Sequence, residues 1–245
     1  AQKTFPSAEA AAEALVSAAE AFDVEALKAI LGPEGIDLVV TEDAVLDKVQ
    51  ATAFAATARE KLVVATDPKN AGRASLIAGQ GDWPLPIPIV KTGSAWRFDT
   101  VAGRREVLLR RIGRNELDAI QVCRGFVEAQ HEYASQRRDG ARVNQYAQRI
   151  ISTPGRQDGL AWQNPDGTWG GPVGEKIARA IAEGYRDKYE PYHGYYYKVL
   201  KGQGPNAPLG ELDFVVQGVM IGGFALVAAP ADYRKTGVKT FLVSH

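Results

Sequence analysis

Apolar and polar residues follow two periods along this chain, and the period changes from helical to strand-like twice. Ser7 stands before Ala8-Glu9-Ala10-Ala11-Ala12-Glu13-Ala14-Leu15, a cap followed by an acidic first turn, which predicts a helix to about Phe22. Asp23 caps a second, from Val24 to Leu31, stopped by Gly32-Pro33. A third helical stretch covers about Asp43 to Lys61. Then the period shortens. Arg73 to Ala78 reads as a strand, and Leu85–Lys91 with Ala95–Asp99 read as a hairpin about Thr92-Gly93-Ser94. Pro84, Pro86 and Pro88 cannot donate ladder hydrogen bonds, so the first strand of this hairpin is expected at an edge or paired on one side only.

The cycle then repeats. A helix begins near Thr100 and is expected to break at Gly113. The next spans about Asn115 to Arg138, with Leu117, Ile120, Cys123, Phe126, Val127, Gln130 and Tyr133 as its inner stripe. Residues 152–172 are rich in Gly, Pro and polar groups and read as irregular. Val173, Ile177, Ile181 and Tyr185 mark one more amphipathic helix. Strands follow at Tyr195–Leu200, Leu212–Gln217, Phe224–Ala229 and Val238–Ser244. Helices followed by strands, twice, predict an α+β chain of two small domains, 1–112 and 113–245. In each, helices are expected on one face of a mainly antiparallel sheet.

Composition changes little in this picture. The 245 residues are 45% hydrophobic and 24% charged, ordinary values for a folded chain with its own core. Lys plus Arg (29) balance Asp plus Glu (29), which argues against a nucleic-acid partner, since phosphate binding needs excess positive charge. Cys123 is the only cysteine, so no intramolecular disulfide forms, and its place on the inner stripe makes it a small buried hydrophobe. No apolar run approaches the roughly 20 residues needed to cross a bilayer. The opening Ala1-Gln2-Lys3-Thr4-Phe5 lacks an initiator Met and resembles a mature terminus after signal-peptide removal. A periplasmic or secreted location is therefore expected, and one Cys and one Met agree with it.

Three stretches resemble the domain-of-unknown-function 2950 family of exported bacterial proteins. They are Trp96-Arg97-Phe98-Asp99 with Arg110-Arg111-Ile112-Gly113-Arg114-Asn115-Glu116, then Tyr192-His193-Gly194-Tyr195-Tyr196, then Gly222-Gly223-Phe224-Ala225-Leu226-Val227-Ala228 with Pro230 and Tyr233. The resemblance implies an exported location and no defined activity. It also implies an Asp-Gly turn and one more strand after the last, so the final hairpin is expected to be incomplete at His245. The first half is similar to nuclear-transport-factor-2-like cones through Ala10–Leu15, Asp23–Leu27 and the Trp96 strand. The second half is similar to the globular part of type IV pilins and pseudopilins. That likeness runs through Asn115-Glu116, Ala119-Ile120, Ala129-Gln130, Tyr133-Ala134, Gly194-Tyr195, Gly237 and Phe241. Pilins have an apolar anchoring helix where this chain has its first domain.

No HExxH, CxxC, GxSxG, Walker or dinucleotide motif occurs. No catalytic residue, metal site or cofactor is expected. Five residues stand out as candidates for ligand binding. His193 and Tyr195 sit in Pro191-Tyr192-His193-Gly194-Tyr195-Tyr196-Tyr197, where a loop enters a strand; a loop histidine there either orients a ligand or pins the loop. Trp162, Trp169 and Asp166, with Asp158 and Asn164, populate the irregular region, and indoles beside carboxylates and amides can grip sugar rings. Asp99, Arg110, Arg111, Arg114 and Glu116 crowd the proposed junction and are expected to form interdomain ion pairs.

Two functions fit these features. One is a non-catalytic envelope module that binds another envelope protein or aids an assembly. The other is a small-ligand-binding protein or enzyme with a cone-shaped pocket in the first domain. The apolar strand Leu85–Val90 offers such a pocket few polar groups.

Overall fold

The computed structural model describes residues 2–40, 44–173 and 191–245. The chain is α+β and divides into two compact units, Ala1–Arg110 and Arg111–His245. Most of the helix expected from Val173 to Tyr185 falls outside the described residues.

In the first unit, helices α1 (Ala8–Ala21), α2 (Val24–Leu31) and α3 (Ala44–Glu60) precede five strands, β1 (Leu62–Asp67), β2 (Asn70–Ala78), β3 (Trp83–Pro84), β4 (Ile89–Thr92) and β5 (Ala95–Phe98). Ser7 and Asp23 cap α1 and α2, accepting hydrogen bonds from the amides of Ala10 and Ala26. Alanines at 11, 12, 18 and 19 of α1 and at 55 and 58 of α3 are buried, and their small side chains let the two helices pack together. The sheet is antiparallel in the order β1-β2-β4-β5, with β3 also on β2. Leu15, Val16, Leu27, Leu31, Leu76, Ile89 and Phe98 join helices and sheet in one apolar core.

Two expectations are corrected here. The strand expected from Leu85 to Lys91 is laddered only from Ile89, and β4 lies between β2 and β5 rather than at an edge. Pro86 and Pro88 fall in the unladdered stretch before it, so no proline interrupts the central strand. β1 has no counterpart in the sequence reading. Only Lys61 separates it from α3, and Leu62-Val63-Val64-Ala65 carries no turn residue to announce a change.

Helix α4 (Thr100–Ala134) runs unbroken through Gly113, against the expected break. One interior glycine costs about 1 kcal/mol against alanine, and no cap or proline follows it to add to that cost. In the second unit, Ala119, Cys123, Phe126, Ala129 and Tyr133 of α4 form the core with strand residues. Leu117, expected on this stripe, is 64% exposed. The buried face is therefore rotated toward Ala119, four residues before Cys123.

Three short strands follow α4: β6 (Arg149–Ile151), β7 (Gly159–Gln163) and β8 (Trp169–Gly170). Next come β9 (Tyr195–Leu200), β10 (Gly202–Gln203), β11 (Leu212–Asp213), β12 (Val215–Val216), β13 (Val219–Met220), β14 (Ala225–Pro230) and β15 (Phe241–Ser244). β14 pairs antiparallel with β9 on one side and β15 on the other, while β10–β11 and β12–β13 are separate two-stranded ribbons. Tyr195, Phe224, Leu226 and Ala228 carry the core from the three-stranded sheet. The partner expected for the last strand is found, but the strand starts at Phe241 rather than Val238. The amides of Val238 and Lys239 are instead taken by Oε1 of Glu116, at 2.9 and 3.1 Å. A side chain thus replaces the ladder there.

Candidate functional site

A groove of about 1030 Å³ opens in the second unit, within the region expected to be irregular. Its floor and walls come from β6, β7, β8 and β9 and from the loop between β6 and β7. β6 and β7 are parallel, Arg149 opposite Gly159 and Ile151 opposite Ala161. The chain must therefore run back the length of β6 before β7 can start, and residues 152–158 do so without a crossover helix. This returning segment forms one wall.

Asp158 holds the segment together. Its carboxylate accepts from the Thr153 amide at 2.7 Å and the Thr153 hydroxyl at 2.8 Å, with Arg149 at 3.7 Å. Partial burial pushes the carboxyl up, but the two Thr153 hydrogen bonds and the Arg149 charge outweigh it, and Asp158 stays below the ordinary carboxylate range. The Ser152 hydroxyl accepts from the Gly159 amide at 2.9 Å and closes the loop.

Trp162 and Trp169 both line the groove. In the β7–β8 ribbon, Trp162 faces Gly170 and Gln163 faces Trp169. Side chains alternate along a strand, so the two indoles leave opposite faces of the ribbon. They therefore do not sandwich one ring between them. The Arg138 guanidinium lies 4.9 Å from the Trp162 ring and 5.1 Å from the Tyr133 ring, fixing Trp162 from behind by cation–π contact. Gly170 is required opposite Trp162, because a Cβ there would sit 2.7 Å from the indole Nε1.

Amides and hydroxyls supply the groove's polar lining, with Gln148, Gln157, Gln163, Asn164, Ser152 and Thr153 among them. Asn164 donates to the Thr168 hydroxyl at 3.0 Å, and Gln163 to the Gly167 carbonyl at 3.3 Å. Arg149, Arg156 and Lys198 add positive charge. Tyr197 contributes its ring, and burial holds its phenol far above the usual range, so it stays neutral.

The sequence candidates fall in different places. Trp162 and Trp169 share the groove. Asp166 does not line it. It accepts from the Thr168 amide and hydroxyl at 3.0 and 2.6 Å and shapes the turn at 164–168, and the Thr168 hydroxyl holds its carboxyl below the usual range. Tyr195 is fully buried and donates to the Lys239 carbonyl at 2.9 Å. Gly237 makes room for that hydroxyl, which any Cβ at 237 would strike. His193 occupies the first central position of a tight turn, φ 48°, followed by Gly194, φ 74°. Tyr192 and Tyr195 close that turn with reciprocal backbone hydrogen bonds, and His193 Nδ1 lies 2.7 Å from Asp118 on α4. Tyr195 is thus a core residue, while the His193 side chain, held beside Asp118, is 45% exposed.

Asp99, Arg110 and Glu116, expected in interdomain ion pairs, have partners in their own units, while Arg111 and Arg114 make no ion pair among the described residues. Asp99 caps α4 by accepting from the Ala102 amide; Arg110 pairs with Glu106 at 2.8 Å and donates to the Pro84 carbonyl; Glu116 takes the two amides near β15. Among the described residues, no group of His, Cys, Asp and Glu side chains is arranged to hold a metal ion.

The residues that sequence reasoning missed are those of the returning loop, Ser152, Thr153 and Gln157, and Arg149 and Arg156 beside it. The signal was present in Asp158, a lone acid at the end of a Gly- and Pro-bearing run, spaced to reach back to Thr153.

The family model for "Protein of unknown function (DUF2950)" matches residues 2–245. No curated protein and no solved structure matches the chain, so the cone and pilin likenesses remain readings of sequence alone.

Proposed function

The chain belongs to the domain-of-unknown-function 2950 family, and we propose that it acts as a non-catalytic, exported binding protein of the bacterial envelope, with the groove of its second unit as a saccharide-binding surface. One observation carries this reading: two indoles on neighbouring strands open into the same groove among amides and hydroxyls. Indole faces stack on the C–H faces of pyranose rings, and planar amides can both donate to and accept from sugar hydroxyls. A concave site with apolar walls and a few placed polar groups is the usual form of a ligand site. The single cysteine and the envelope-family resemblance support the export part of the proposal.

A pocket in the first unit draws less support. Its core cluster consists of apolar side chains only, and Asp47 and Thr100 are the buried polar residues in that half among those described.

Two measurements test the proposal. Fractionation of the native bacterium should place the protein outside the cytoplasmic membrane, and recovery in the cytosol would refute export. Passage over immobilised envelope polysaccharide should retain the protein, with elution by soluble oligosaccharide. Failure to be retained by any such polysaccharide would refute the binding role.

A second reading has its own observation. β15 stands at the end of the order β15-β14-β9, so one of its sides is unpaired among the described residues, and Leu242 on it is 68% exposed. Such an edge can take a strand from another envelope protein. Crosslinking through a cysteine placed at Leu242 should then capture a partner by strand pairing, and exclusively monomeric product would count against it.

A further inference from the structure

We infer that the groove takes an acidic oligosaccharide, one whose sugar rings carry carboxylates, in preference to a neutral one. The inference rests on the saccharide reading above and adds the charge of the ligand.

Its basis is the balance of charge along the lining. Arg149, Arg156 and Lys198 line the groove, and among the described residues no Asp or Glu does. Two acids, Asp158 and Asp139, pair with these arginines, each through one contact. Asp158 spends both oxygens on Thr153 and meets Arg149 only at 3.7 Å, beyond hydrogen-bonding distance. Asp139 meets Arg156 through a single contact of 3.3 Å. Lys198 makes no ion pair among the described residues. The side chains of Arg149 and Arg156 are 61% and 62% exposed, so their planar donor faces remain open to a bidentate carboxylate.

Two arginines of the first unit behave differently. Arg59 is held by Glu13 at 2.7 Å and Glu20 at 3.0 Å, with Ser17 at 3.1 Å. Arg104 closes on both carboxylate oxygens of Asp37, at 2.6 and 2.7 Å. Those side chains are satisfied internally. Arg149 and Arg156, by contrast, are mostly exposed and share the groove lining with the two indoles.

Geometry adds length to the specification. Because Trp162 and Trp169 point from opposite faces of their ribbon, one sugar ring cannot stack on both. The ligand then places different rings on each indole, with its carboxylates directed to Arg149 of β6 and Arg156 of the returning loop. A neutral chain would find the same stacking surfaces but would leave the guanidinium groups in water.

The test is a tryptophan-fluorescence titration of the full chain with a short oligouronate and with its methyl ester, at low and high ionic strength. The acid is expected to bind about tenfold more tightly than the ester at low salt, from two exposed charge contacts, and the gap should close at high salt. Arg149→Gln with Arg156→Gln should bring acid and ester to equal affinity. Equal binding of acid and ester by the wild-type protein would overturn this inference and leave the saccharide reading standing. Binding of neither would overturn both. A preference that survives the double substitution would also contradict the inference, because the charge would then come from elsewhere.

Discussion

The side-chain amide of Gln130 makes both backbone hydrogen bonds of Ala147, donating to its carbonyl at 2.8 Å and accepting from its amide at 2.8 Å. Both residues are fully buried, so a glutamine on the inner face of α4 substitutes for the neighbouring strand that Ala147 lacks. It also anchors the segment that continues directly into Gln148, Arg149 and the groove. Gln130→Leu would keep the volume and strand both polar groups of Ala147 without water. Each unsatisfied group costs about 1–3 kcal/mol. Denaturant unfolding should show a loss of that order or more, and an unchanged midpoint would contradict the role.

Gly113 lies in mid-helix, and a Cβ built there meets nothing within 4 Å. Alanine should therefore fit without strain and reduce the freedom of the unfolded chain. Gly113→Ala is expected to stabilise the protein by about 0.4–1 kcal/mol. A loss of stability on thermal unfolding would mean that α4 bends at this position.

The turn at Tyr192–Tyr195 needs positive φ at both central residues, which His193 and Gly194 provide. Asparagine tolerates that conformation and β-branched residues do not. His193→Asn should change stability by no more than about 0.5 kcal/mol, whereas His193→Val should cost about 1–2 kcal/mol. If both substitutions abolished ligand binding while the fold stayed intact, the histidine would be a ligand contact and the turn reading would be wrong.

Asp158 gives the groove a pH dependence. Its carboxyl lies below the ordinary range in the folded protein, so in the acid range the unfolded chain binds the extra proton and stability rises with pH. The contribution is fully present above the unfolded value of about 3.9. It is lost as pH falls through the lower, folded value. Paired acid titrations of wild type and Asp158→Asn should show equal stability at the acid end and an advantage for wild type above about pH 4. A constant difference across the range would rule out the carboxylate as the clasp.

Helix capping made part of this fold legible. Ser7 and Asp23 announce α1 and α2, Gly93-Ser94 announces the β4–β5 hairpin, and the apolar runs at 195–200 and 224–229 mark β9 and β14 of the three-stranded sheet. These signals are local, set by one residue's preference or by a short alternation. Gly113 misled because a propensity cost near 1 kcal/mol is small beside the packing of a 35-residue helix. The groove was only half legible. Two tryptophans in a polar loop suggested a site, but β6, β7 and β8 have three, five and two residues, too short for any periodicity to show. The roles of Tyr195 and Asp166 were hidden because both depend on contacts that no spacing reveals: a hydroxyl reaching Lys239, and a carboxylate turned back on Thr168.

The most direct measurement is a calorimetric titration of the wild-type protein, Trp162→Ala and Trp169→Ala with oligosaccharides of increasing length. Each substitution should weaken binding at least about tenfold, as expected for a buried aromatic anchor, and affinity should rise once the ligand is long enough to reach both indoles. Binding that is indifferent to both tryptophans, or no binding by the wild-type protein at any length, would contradict the assignment of the groove as a saccharide site.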